Sequence, residues 1–182
     1  MVDAMSEDVN EGLVFAGRIP LASRCINELP GDSELAFVNE KNEHTLRASL
    51  LSSEPIESDE HDEVMLHLKR QELKIDLLMD MMGEVLAQHS DIPVEQWVRL
   101  RTAGVQWQTA AKPLSVGDKL EINLFVTPPI PRPLTFFAVV ENVDNSLVSA
   151  SFHGVSQAVQ DGLDKIIFRH HRRTIAQSRL QD

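Results

Sequence analysis

The sequence predicts an α+β fold: a small antiparallel β-barrel preceded by two helices and followed by a third. Three observations carry that prediction. Residues His61 to His89 place apolar side chains alternately four and three apart, which is the spacing of a coiled-coil helix. From Trp97 onward the period changes to strict alternation in short runs separated by turn residues, as half-buried strands require. After Gly154 a helical period returns and ends in a cluster of cations.

The chain has 182 residues, 42% of them hydrophobic, enough for one domain of ordinary size with an extension. Its net charge of -11 is uneven: residues 1 to 63 hold fifteen Asp or Glu against four Lys or Arg, and the remainder balances. An acidic front of this kind repels nucleic acid and anionic membrane, so neither is an expected partner. The single cysteine, Cys25, allows no internal disulfide and no Cys cluster for zinc. No run reaches the length of a membrane span, and the acidic start lacks the features of a signal peptide, so a cytoplasmic setting is expected.

Residues 1 to 31 read as an acidic arm, partly disordered. Its apolar segment, Leu13 to Ala22, is broken by Gly17 and Pro20, so the expectation is an arm lying over another part of the fold, with pairing at a sheet edge as one way of docking, rather than a long strand. Residues 32 to 89 read as a helical oligomerisation module. Asp32 or Ser33 caps a first helix running to about Leu51, with Leu35, Val38, Leu46 and Leu50 on its apolar side. Ser58 caps the central helix, with Glu57, Asp59, Glu60, Asp62 and Glu63 at its dipole-positive start. Its a/d register runs Val64, Leu68, Gln71, Ile75, Leu78, Met82 and Val85, widened by Met65, Leu77, Met79 and Leu86. That width suits packing of more than two helices. Leu66, Leu73 and Met81 form a second apolar face on the back, expected to meet the chain's own elements.

Residues 94 to 182 read as the barrel and its closing helix. Val98, Leu100, Val105 and Trp107 mark two short strands, and Leu120, Ile122, Leu124 and Val126 lie on one face of a third. The proline-rich PPIPRP cannot be strand interior, PLTFFAVVENV is apolar on both faces, and LVSASF follows a turn at Asp144-Asn145-Ser146. Ser156 caps a last helix reaching about Gln177, with Val159, Leu163, Ile166 and Ile167 facing inward.

The long helix, the barrel opening LRTAGVQW, the strand GDKLEINLFVTP and the final helix bearing IFRHHRRTIAQSR together resemble the PilZ domain family, in its non-canonical tetrameric branch. The resemblance covers about residues 32 to 180. It implies a six-stranded barrel and, for the tetrameric branch, a parallel four-helix bundle built by the heptad helix. Typical members hold cyclic di-GMP with an R-x-x-x-R segment before the barrel and a D/N-x-S-x-x-G turn, whose guanidinium groups pair with phosphates and stack on guanine. Gly104 matches the final glycine of that turn, but Arg99 stands in place of the acid or amide and Arg101 in place of the serine. No arginine lies between Gln88 and Val98, so the R-x-x-x-R segment is absent.

Candidate sites follow from these residues. Trp97, Arg99 and Arg101 alternate along one strand and share a face, where two arginines beside an indole could receive a nucleotide or an acidic peptide. Arg99, Arg101 and Gly104 are the candidate residues of a non-standard cyclic di-GMP site, under the alternative in which the barrel is a receptor. Arg169, Arg172 and Arg173 gather at the end of the last helix as an anion site or an ion-pairing surface. His61, His67, His153, His170 and His171 lack ligand spacing for a metal. No nucleophile setting and no phosphate-cradling glycine loop occurs. The sequence therefore predicts a non-enzymatic homo-oligomer, tetramer favoured, without cofactor. It would act as an adaptor or scaffold for an unidentified protein partner in cyclic di-GMP-linked processes, type IV pilus function or motility, as the resemblance implies. The alternative is a receptor that binds the dinucleotide through Arg99 and Arg101.

Overall fold

The computed structural model describes residues 13–51, 63–88, 92–109, 113–126 and 132–178. Six strands, β1 (Phe15–Ile26), β2 (Glu95–Arg101), β3 (Gly104–Gln108), β4 (Lys119–Leu124), β5 (Leu134–Asp144) and β6 (Leu147–His153), close into an antiparallel barrel in the order β1-β2-β3-β6-β5-β4. Helices α1 (Asp32–Leu51) and α2 (Glu63–Gln88) lie between β1 and β2 in sequence, and α3 (Gln157–Ser178) follows β6. The α+β architecture with a small antiparallel barrel is the one the sequence predicts, and six strands are the number the family resemblance implies.

One element departs from expectation. The segment read as an arm is a twelve-residue strand, so the barrel does not begin at residue 94. Phe15 to Pro20 pair with β2, and Leu21 to Ile26 pair with β4. Pro20 lies where β1 changes partners, and its carbonyl accepts from Phe125 N at 3.1 Å. At that changeover a missing N–H interrupts neither run of pairing, which is why a proline is tolerated in a strand with neighbours on both edges. Phe15, Ile19 and Leu21 point into the core.

The inward residues of the other strands follow the predicted alternation: Val98 and Leu100 on β2, Val105 and Trp107 on β3, Leu120, Ile122 and Leu124 on β4 are all buried. Leu46 of α1 and Val159, Leu163, Ile166 and Ile167 of α3 join the same core. The start of α1 is set by Gly31, one residue ahead of the expected cap, whose carbonyl accepts from Glu34 N and Leu35 N. Ser156 caps α3 as predicted, its Oγ accepting from Val159 N at 3.3 Å. The predicted Ser58 cap lies outside the described residues.

Helix α2 behaves differently from α1 and α3. Those two pack on each other and on the barrel, whereas α2 shows no comparable packing on any described element. Val64, Leu68, Ile75, Leu78, Met82 and Val85 of the heptad register are each 55% to 66% exposed, and Gln71 is exposed too. Leu73 and Met81, expected to pack on the chain's own elements, are 65% and 56% exposed. The back face is thus uncovered by the chain's described residues. The side chains of Met65, Leu66 and Leu86 lie outside the described residues.

Candidate functional site

Strand β2 turns Val98 and Leu100 into the barrel, so Glu95, Trp97, Arg99 and Arg101 face outward. Trp97, Arg99 and Arg101 therefore share the face that their alternation predicts. Register supplies their neighbours. Trp97 stands opposite Arg18 on β1, and Arg99 stands between Ala16 on β1 and Gln106 on β3. Gln106 Nε2 donates to Ser149 Oγ of β6 at 3.0 Å, continuing a polar outer surface across β3 and β6.

Arg18 is the residue sequence reasoning missed. Its guanidinium lies 3.9 Å from the Glu95 carboxylate, and its Nη2 donates to Glu95 O at 3.3 Å. Both side chains are more than half exposed, where an ion pair contributes about 0–1 kcal/mol. The signal that would have found Arg18 is its phase in β1: Phe15, Ile19 and Leu21 face in, which turns Arg18 out.

Gly104 has a packing role that accounts for it without any ligand. It pairs with Arg101 on one side and Ser151 on the other, and a Cβ built there would stand 2.5 Å from Ala150 O. A backbone carbonyl at that distance cannot yield, so only glycine lets β3 and β6 approach this closely.

The basic end of α3 divides. Arg169 reaches the C-terminal end of α1, its Nη1 and Nη2 making long contacts of 3.5 and 3.4 Å with Leu50 O and Ser49 O. Helix α1 carries no cation in its own last turn, so Arg169 supplies from α3 the charge its dipole favours there. Arg172 lies 6.0 Å from the centroid of the Phe168 ring, at the limit of a cation–π contact. Arg173 is in α3, and its side chain lies outside the described residues. The His170 ring packs against Phe15 at a tilt of 48°, with ring centroids 4.1 Å apart. The structure thus does not bring Arg169 together with Arg172 at one open site.

Among the described residues no group of His, Cys, Asp and Glu is placed to hold a metal ion, and no described helix is long and apolar enough to cross a membrane. A groove of about 850 Å³ runs between α1 and the outer faces of β4 and β5, lined by Phe37, Lys41, Asn42, Glu121, Arg132 and Thr135 among others. It mixes both charges with apolar surface.

A closed six-stranded barrel with two helices packed on it, a third standing clear and arginines on an outer strand defines a small barrel module carrying a separate helical element. The chain belongs to the atypical PilZ domain family: that family's model, described as a cyclic di-GMP receptor, matches residues 49–180. The match leaves out β1 and most of α1, which nevertheless complete and buttress the barrel. Among solved structures, the chain is similar to a pathogenic protein of Xanthomonas campestris described as a tetrameric PilZ domain self-assembled via an unusual helical bundle. The TM-score is 0.69 at 20% identity, over 91% of this chain and 92% of that one. No curated protein matches the sequence.

Proposed function

We propose that the chain is a non-enzymatic adaptor or scaffold that assembles with copies of itself through α2 and so presents several barrels together. The observation that carries this is the exposure of α2. Its heptad face and its back face both lie open, with Leu73, Ile75 and Leu78 each about three-fifths exposed. Burying one such side chain contributes about 1.5–3 kcal/mol, and contiguous apolar surface of this extent marks an interaction site. The Xanthomonas campestris protein, of the same fold, assembles as a tetramer through a helical bundle, which supports four helices here. The setting is cytoplasmic, and the link to cyclic di-GMP signalling, in type IV pilus function or motility, is drawn from the family. Co-expression of two differently tagged copies tests the reading: capture of one should bring the other. Failure to co-purify at micromolar concentration would contradict it.

A second reading shares the assembly but makes the barrel a receptor. It is favoured by the outward cluster of Arg99 and Arg101 beside Trp97 and by the family's description as a cyclic di-GMP receptor. Calorimetric titration with cyclic di-GMP separates the two. Micromolar or tighter binding that is lost in an Arg99→Ala, Arg101→Ala variant establishes the receptor, and absence of binding leaves the adaptor.

A further inference from the structure

A receptor built on this barrel lacks the arginines that typical members place just before it. The structure offers a replacement from a strand outside the family match. Arg18 of β1 is the direct cross-strand partner of Trp97 on β2, on a shared outer face where paired residues lie roughly 4.5–5.5 Å apart. Trp97 is 53% exposed, and the next outward residue on β2 is Arg99, about 7 Å further along the strand. Ala16, the β1 partner of Arg99, is too small to cover either group. The result is an indole with a guanidinium beside it on β1 and another beside it on β2.

We propose that Arg18, Trp97 and Arg99 form one subsite for a purine nucleotide, with the base stacked on the Trp97 indole and a phosphate held between the two guanidinium groups. The subsite rests on the receptor reading and adds β1 to it. The chemistry of the face agrees. Indole and guanidinium planes both stack on bases, and a guanidinium pairs with phosphate oxygens through parallel N–H donors. The outward arginines near Trp97 are Arg18 on β1 and Arg99 and Arg101 on β2, and the carboxylate beside Arg18 is that of Glu95. Glu95 holds Arg18 only through an exposed pair at 3.9 Å, which a doubly charged cyclic dinucleotide can displace. Strand β1 thus contributes a ligand-binding arginine as well as closing the barrel.

The two tryptophans make a direct test possible, because Trp107 is 1% exposed and enclosed in the core while Trp97 faces solvent. Cyclic di-GMP is titrated into the intact chain while tryptophan emission is followed, alongside calorimetry on Arg18→Ala, Trp97→Phe and Arg24→Ala. Arg24 pairs with Glu121 further along β1 and serves as a control for the loss of a surface arginine. The expected result is a saturable change in emission that disappears in Trp97→Phe, with affinity weakened roughly tenfold or more in Arg18→Ala and unchanged in Arg24→Ala. Binding that Arg18→Ala leaves intact, with no change in Trp97 emission, overturns this subsite while the receptor reading stands on Arg99 and Arg101. Absence of binding by the wild-type chain overturns both.

Discussion

The side-chain amide of Asn42 and the backbone of Thr135 hold each other in both directions: Asn42 Nδ2 donates to Thr135 O at 2.7 Å, and Asn42 Oδ1 accepts from Thr135 N at 2.9 Å. One turn earlier Asn39 repeats the device, donating to Gly154 O at 2.8 Å and accepting from Ser156 N at 3.0 Å. Two asparagines on one face of α1 thus satisfy the backbone at the start of β5 and at the turn into α3. They fix α1 to the barrel at two points.

Asn42 is 2% exposed, so its replacement by Ala leaves the half-buried N–H and C=O of Thr135 without this partner. Destabilisation by about 1–3 kcal/mol is expected. Urea unfolding checks it, with a lower midpoint and an unchanged slope. His44→Ala on the same helix should differ from wild type by no more than about 0.5 kcal/mol.

Gly104→Ala forces a methyl against Ala150 O and should destabilise the ligand-free protein by about 1–3 kcal/mol. Thermal unfolding without any nucleotide makes the measurement. A variant as stable as wild type would show that the glycine is not held by packing.

A chain that begins at Asn27 lacks β1 and exposes the edges of both β2 and β4. It also loses Phe15, Ile19 and Leu21 from the core. Unpaired strand edges template aggregation, so light scattering should find aggregate. A soluble, cooperatively folded product would show that the part matched by the family model suffices alone.

These expectations rest unequally on what the sequence makes legible. Periodicity is local, so the α2 stripe and the inward and outward sides of β2 can be read from spacing alone. Long-range pairing is not local. Nothing beside Arg18 in the chain announces Trp97, which meets it only through the β1–β2 register. In the sequence Arg169 belongs to a basic cluster, and only the packing of α3 brings it to the end of α1. Gly17 and Pro20 make β1 look too broken for a strand, because the rule against proline assumes one continuous partner on each edge. The back of α2 is misleading for a related reason. An apolar face states that something must cover it, without stating whether the cover comes from the same chain.

Ile75 and Leu78 carry adjacent a and d positions of α2 and are 58% and 60% exposed. Changing both to Glu should give monomers or insoluble protein, since a buried carboxylate without a partner costs several kcal/mol. Gel filtration with light scattering reads the outcome, and an assembly of unchanged mass would remove α2 from the interface.

Sedimentation equilibrium of the intact wild-type chain at micromolar concentration tests the central claim most directly. A mass of about four chains of 20.4 kDa is the predicted result, in line with the wide apolar stripe on α2. A single monomeric mass across that concentration range would contradict self-assembly through α2 and the scaffold role built on it.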